Sequence, residues 1–95
     1  EEEPCIISDI KLYQNYPNPF NNETVISFSL KGTAEIELIV YNSKGEQVDS
    51  MIKRKMSKGV HSMSYCASKL NSGVYYYQLK VDGITKDIKK MLFLK

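Results

Sequence analysis

His61 is the residue in this chain that most readily suggests catalysis. It is the only histidine among the 95 residues. A nucleophile needs a base such as histidine within hydrogen-bond reach. However, His61 alternates with Met63 and Tyr65, and this spacing places the three side chains on one face of a β-strand. We therefore interpret His61 as a structural, partly buried residue rather than a catalytic one.

The acidic residues and the two cysteines do not form a pattern typical of a metal or cofactor site. The carboxylates are scattered through strand and turn patterns, and no run has calcium-ligand spacing. Cys5 and Cys66 lack metal-ligand spacing. A disulfide between them would suit an exported protein, but we favour two free thiols. Without a phosphate loop or a nucleophile elbow, the sequence predicts no enzyme activity and no cofactor.

The tyrosines allow two interpretations. The chain has seven tyrosines and no tryptophan. Tyr76 points to the opposite face from Tyr75 and Tyr77, so with Tyr41 it could form an aromatic platform for a sugar. Ordinary half-buried packing on a sheet explains the same residues, and we prefer that explanation.

Composition and charge limit the classes of protein to which the chain can belong. Its length is that of one domain, and its net charge is only +2, from 13 basic and 11 acidic residues. Nucleic-acid-binding domains usually carry a strong basic stripe, so we expect no nucleic-acid partner. No stretch approaches the roughly 18 apolar residues of a membrane helix. We expect a monomer without a membrane span.

Apolar residues alternate with polar residues throughout the chain, and this period is typical of strands. Short turn sequences separate the strands. The strands that the pattern predicts cover residues 10–14, 24–30, 35–41, 47–55, 60–66, 74–81 and 85–94. About seven strands with turns at this spacing favour an all-β, immunoglobulin-like antiparallel β-sandwich.

Two local signals refine the predicted fold. Asp82-Gly83 is typical of a two-residue type I′ hairpin turn. The spacing of Leu70, Gly73 and Tyr75 resembles the tyrosine corner of such sandwiches, in which the tyrosine hydroxyl bonds to the main chain a few residues upstream. We therefore expect the Tyr75 hydroxyl to make a main-chain hydrogen bond.

The segment Met91–Leu94 is apolar on both faces, although a terminal strand normally exposes one face. Lysines bracket it at Lys89, Lys90 and Lys95. One explanation is that residues 17–20 or a neighbouring strand cover it. The other is recognition by another protein through strand addition. Folding considerations alone leave the two explanations equal.

Several motifs in the chain resemble a known family. Residues 15–21, Asn-Tyr-Pro-Asn-Pro-Phe-Asn, are followed by the strand of residues 24–30. The hairpin of residues 40–48, the Gly-x-His-x-Met-x-Tyr run from Gly59 and the segments of residues 70–79 and 89–95 then follow in order. This series resembles the C-terminal sorting domain, type A, of the type IX (Por) secretion system. Tyr65 stands where that family usually has tryptophan.

The resemblance implies a sorting signal at the C-terminus of a larger exported protein. It implies recognition by the outer-membrane translocon and its shuttle, and cleavage by a sortase-like peptidase. The passenger would cross the periplasm and reach the cell surface or the medium. The recognition residues that the resemblance implies are Gly73, Tyr75, Lys89, Lys90, Met91, Leu92, Phe93, Leu94 and Lys95.

The domain organisation follows from the same resemblance. Residues 1–9 are expected to be the end of a linker from the parent protein, and residues 10–95 the sorting domain. Two other functions remain open: an accessory carbohydrate- or protein-binding module of a secreted enzyme, and a structural spacer. An exposed aromatic row with measurable glycan affinity would favour the binding module.

Overall fold

Seven β-strands and no helix make up residues 10–95, the part of the chain that the computed structural model describes. Two antiparallel sheets form, with strand orders β1-β2-β5 and β4-β3-β6-β7. The all-β sandwich that the sequence predicts is thereby confirmed. The strands are β1 (Lys11–Leu12), β2 (Glu23–Leu30), β3 (Ala34–Asn42), β4 (Gln47–Met56), β5 (Gly59–Cys66), β6 (Gly73–Val81) and β7 (Ile84–Phe93). Cys5 and the predicted linker end lie outside the described residues.

The core lies between the two sheets and follows the period-two pattern of the sequence. From β2 come Ile26, Phe28 and Leu30, and all three are buried. The alternating residues of β3 and β6 also belong to this core. Complete burial of each large apolar side chain stabilises the fold by about 1.5–3 kcal/mol, so this pattern is the main reason why the strands assemble.

The tyrosine corner at the start of β6 is confirmed. The Tyr75 hydroxyl donates a hydrogen bond of 2.7 Å to the carbonyl oxygen of Asn71. The ring itself is buried in the core. Tyr75 therefore fixes the loop that enters β6, as its spacing from Leu70 and Gly73 predicts.

The structure differs from the sequence prediction in the first strand. The first strand is only Lys11–Leu12 rather than residues 10–14. The Tyr13 N–H still donates to Ser27 of β2, but the Tyr13 carbonyl and the Asn15 N–H bond to the Tyr77 hydroxyl of β6 instead. Ile39, on the opposite face of β3 from the core, is only 3% exposed. It is covered because β3 is a central strand with β4 and β6 on its two sides. The ends of the other six strands differ from the prediction by at most one residue.

The hairpin between β6 and β7 has the predicted turn. Asp82 and Gly83 have φ angles of 52° and 84°, the left-handed values that a type I′ turn requires. The Asp82 side chain also accepts a hydrogen bond from the Glu35 main-chain N–H. The turn is therefore joined to the beginning of β3.

We expect Gly83→Val to lower the free energy of unfolding by more than about 1 kcal/mol, because a β-branched residue is strained at positive φ. Urea unfolding of the two proteins measures the difference. Gly32→Ala is the matched control, since Gly32 lies in another turn, outside the left-handed region and with open space around it. Equal losses for both variants would contradict the role of the turn.

Candidate functional site

A buried polar network holds the segment of residues 14–21, here called the strap, against the start of β2. Asn15 and Thr24 are both buried. The Asn15 side-chain amide donates to Thr24 Oγ1 at 2.9 Å and to the Pro17 carbonyl at 3.1 Å. Thr24 Oγ1 donates to the same carbonyl at 2.9 Å. These bonds satisfy polar groups that would otherwise be costly to bury.

Tyr77 of β6 joins the strap to the four-stranded sheet. Its hydroxyl donates to the Tyr13 carbonyl and accepts from the Asn15 main-chain N–H, each at 2.7 Å. Burial raises the pKa of Tyr77 to about 12, although the Asn15 bond lowers it in part. The hydroxyl is therefore protonated at neutral pH and donates to Tyr13.

The strap also pairs with the last residues of β7. The Phe20 N–H donates to the Leu92 carbonyl at 3.0 Å, and the Leu94 N–H donates to the Phe20 carbonyl at 2.9 Å. The Leu92 N–H donates to the side chain of Asn18. The rings of Phe20 and Phe93 lie 5.1 Å apart between centroids. The N-terminal and C-terminal motifs of the domain thus form one structure.

This pairing explains the two-sided apolar character of Met91–Leu94. Met91 and Phe93 point into the core and are buried, while Leu92 on the other face is half-buried. The strap covers the edge of the strand, as the first sequence-based explanation predicts. In the folded domain the edge at residues 92–94 is occupied by Phe20 and Asn18, which leaves no free edge there for an added strand.

The predicted recognition residues fall into two groups. Tyr75, Met91 and Phe93 are buried in the core. Gly73 begins β6 and is paired with Phe93. The remaining residues, Leu92, Leu94 and the three lysines, lie partly or fully at the surface.

The three lysines of this set occupy different surroundings. The Lys95 main-chain N–H donates to Ser72 Oγ at 2.7 Å, and its ammonium donates to the Leu70 carbonyl at 3.2 Å. Lys95 is therefore held by the loop that also carries the tyrosine corner. Lys89 forms a 4.0 Å ion pair with Asp87, and such an exposed pair contributes little to stability. Lys90 is exposed and is paired with Tyr76 in the sheet.

A concave surface, here called the closing groove, forms where the strap meets the end of β7. It has a volume of about 500 Å³ and is lined by Pro17, Pro19, Phe20, Asn21, Leu94 and Lys95. Leu94 is 48% exposed at its edge. An exposed leucine, two prolines and part of Lys95 are thus presented together by the two ends of the domain.

The other candidate sites have structural explanations. His61 bonds to the Ser57 carbonyl at 2.8 Å and packs against the ring of Phe28, in agreement with a structural role. The Tyr65 hydroxyl donates to the Asp49 carboxylate at 2.9 Å. Burial, together with this bond, raises the pKa of Tyr65. Among residues 10–95 no group of side chains has the arrangement of a metal site.

Tyr41 and Tyr76 lie together on the outer face of the four-stranded sheet. They are adjacent cross-strand partners and both are half-buried. The Tyr41 hydroxyl donates to the side-chain oxygen of Gln78 at 2.7 Å. This arrangement agrees with sheet packing, which the sequence analysis preferred to a sugar platform.

A comparison with protein-family models decides what kind of domain this is. The model of the secretion system C-terminal sorting domain matches residues 14–93, which include both the strap and the strand that it covers. The chain belongs to this family. Comparison with curated proteins and with solved structures finds no further match.

Family membership gives the sorting domain its function. It is a C-terminal sorting signal for type IX secretion, and the protein that carries it is exported through that system. The family is not a catalytic one. The accessory binding module and the spacer are not favoured. In the described part of the chain no helix is long and apolar enough to cross a membrane.

Three contributors to the site were not predicted from the sequence: Asn15, Thr24 and the hydroxyl of Tyr77. Asn15 belongs to the motif that carries the family resemblance, so the motif indicated its importance but not its role. The partners lie 9 and 62 residues away along the chain. No local pattern in a single sequence predicts contacts at those separations.

Proposed function

We propose that the outer-membrane translocon and its shuttle recognise the folded sorting domain at the closing groove. The observation that carries this proposal is the pairing of the strap with the end of β7. That pairing exposes Leu94 beside Pro17 and Pro19 in one concave surface. A groove made by both ends of the domain exists only after folding. Recognition there would select folded domains over unfolded chains.

The predicted recognition residues take two roles in this proposal. Tyr75, Met91 and Phe93 contribute indirectly. They are buried, and they hold β7 and the loop before β6 in the conformation that forms the groove. Gly73 acts in the same way at the start of β6. Leu92, Leu94 and Lys95 provide apolar surface and positive charge at or beside the groove. Lys89 and Lys90 extend the positive charge along β7, where they would attract an acidic partner at long range.

The remaining steps are proposed from the family. A passenger domain, linked before residues 10–95 by a segment that includes residues 1–9, travels through the periplasm with the sorting domain as a monomer. After translocation the passenger reaches the cell surface or the medium. A sortase-like peptidase of the system removes the sorting domain.

A secretion assay with surface variants tests the proposed recognition site. The domain is fused to a periplasmic reporter in a bacterium with type IX secretion, and the extracellular fraction of the reporter is measured. We expect Leu94→Glu combined with Lys95→Glu to reduce that fraction about tenfold or more. A partner that binds an apolar, basic surface would be repelled by the two new carboxylates. The melting temperature of the isolated variant should stay close to that of the parent domain.

The control is Ile84→Glu, at the other end of the same strand. Ile84 is also an exposed apolar residue, so this change adds a carboxylate to β7 without altering the groove. We expect normal export of that variant. Export of the double variant at the parent level would exclude the closing groove as the recognition surface. A removal of residues 89–95 is less informative, because it also removes Met91 and Phe93 from the core.

A further inference from the structure

The four strands at the edges of the two sheets differ in how they are protected from pairing with another chain. Exposed edges are usually blocked by short length, charge, bulges or a covering segment. β1 has only two residues. The register of β4 is shifted twice, and that of β7 once. The end of β7 is also covered by the strap. Within residues 10–95, β5 is the edge strand without such protection.

β5 has the regular geometry of a strand that can accept a partner. Its eight residues contain no proline and no lysine, arginine or carboxylate. It pairs with β2 over its whole length without a register shift. Long, regular and uncharged edges are those that add strands from other chains.

The hydrogen bonds of β2 show which main-chain groups of β5 are free. Val25 of β2 exchanges hydrogen bonds with Tyr16 of the strap, and the Ser27 carbonyl accepts from the Tyr13 N–H, so both residues bond away from β5. Since alternate residues of a strand direct their N–H and C=O groups to opposite sides, Ile26 and Phe28 bond towards β5. Their partners are Met63 and His61. The N–H and C=O groups of the intervening residues, Val60, Ser62, Ser64 and Cys66, therefore point away from β2, and no described strand lies on that side.

Partly buried methionines lie on the two strands at this side of the sandwich. The side of the sandwich between β4 and β5 is spanned by the hydrogen bond from Tyr65 to Asp49. These two strands supply Met51, Met56 and Met63, which pack against the core but are only partly buried. We call these three residues the methionine seam. Methionine is flexible and adapts to different partner side chains.

The charged residues near the edge of β5 indicate the charge of the partner segment. Lys53, Arg54 and Lys55 are exposed on β4, and Lys58 lies in the turn into β5. The beginning of β5 is therefore basic, while β5 itself is neutral. In an antiparallel pair this beginning faces the C-terminal part of the added strand.

We propose that β5 is a strand-addition site for an extended segment of a partner protein. The segment pairs antiparallel to β5 through the free groups of Val60, Ser62, Ser64 and Cys66. Its apolar side chains lie over the methionine seam, and acidic residues near its C-terminal part face the basic turn. The site is separate from the closing groove, so either proposal can fail without the other.

A peptide titration of the 95-residue chain tests this site. The probe is a capped peptide as long as β5, with alternating valine and threonine and two glutamates at its C-terminal end. We expect it to bind with a Kd below about 1 mM. It should slow hydrogen exchange at the amides of Ser62 and Ser64, which the free domain leaves open to water. Slowed exchange confined to β7 or to the loops would overturn the proposal. Absence of binding at a peptide concentration of about 1 mM would also overturn it.

Two controls separate strand addition from nonspecific adhesion. Ser62→Pro removes one outward N–H and the 2.9 Å side-chain bond to Ser27 Oγ, but no main-chain bond to β2. It should weaken binding of the peptide about tenfold, the effect of 1.4 kcal/mol. Ser62→Thr keeps that N–H and should bind as the parent does. If Ser62→Pro lowers the melting temperature of the domain, Ser64→Pro is used in its place. A probe ending in two lysines should bind more weakly to the unaltered chain, and equal binding of both probes would exclude the proposed acidic partner.

Discussion

Tyr77→Phe is expected to lower the free energy of unfolding by about 2–3 kcal/mol, although the substitution removes a single oxygen atom. That oxygen donates to the Tyr13 carbonyl and accepts from the Asn15 N–H. Both partners then remain near or within the core with no replacement. Each buried polar group left unsatisfied costs about 1–3 kcal/mol. The cost for the Tyr13 carbonyl is at the lower end, because Tyr13 is partly exposed and water can reach it.

The matched control for this prediction is Tyr76→Phe. Tyr76 is the next residue of β6 and lies half-buried on the opposite face, so loss of its hydroxyl should change stability by less than about 0.5 kcal/mol. Urea unfolding measures both variants, and hydrogen exchange at Asn15 reports the strap directly. If Tyr77→Phe changed the free energy of unfolding as little as Tyr76→Phe does, the strap would not depend on the Tyr77 hydroxyl.

The strands of this domain were predictable because their physical cause is local. In β2 and β6, large apolar or aromatic residues recur at every second position, and the side of the sheet on which each residue lies follows from that period. The Asp82-Gly83 turn was predictable for the same reason, since these two residue types tolerate positive φ. The tyrosine corner was predictable because Tyr75 and its acceptor Asn71 are four residues apart.

The candidate site was only partly predictable, because its contacts join distant parts of the chain. The sequence left open whether the strap or another protein covers Met91–Leu94. The contact of Phe20 with Phe93 decides this for the folded domain, and it depends on how the two sheets bring the two motifs together. The free edge of β5 likewise appears only when the strand order is known, because any strand is central or exposed according to its neighbours.

The pairing of the strap with β7 has a consequence for experiments on sorting signals. A substitution in Met91–Leu94 can change the surface, the core or both, since inward and outward residues alternate along this strand. Loss of export alone does not distinguish these effects. Comparison of neighbouring residues on opposite faces does, provided that folding is measured in the same variants.

Phe93→Ala should therefore have the largest effect on stability, a loss of about 3–5 kcal/mol in the free energy of unfolding. The side chain is 1% exposed and packs against Phe20, so its removal leaves a cavity beneath the strap. Native domains are stable by only about 5–15 kcal/mol, so this loss is a large part of the total and should raise the unfolded fraction at growth temperature. Urea unfolding measures this loss, with Leu94→Ala at the exposed neighbouring residue as the control for stability. The secretion assay is run on the same variants, with Ile84→Ala as its control, because Leu94 lines the closing groove.

The comparison with Phe93→Leu then separates folding from contact. Leucine keeps most of the apolar volume, so the domain should fold. The reporter should then be exported, because in the proposed function Phe93 supports the groove and does not contact a partner. A folded Phe93→Leu variant that is not exported would show instead that the machinery contacts the Phe93 ring, which requires the strap to open first. A stable Phe93→Ala variant would contradict the packing of Phe93 against Phe20 as the support of the C-terminal strand.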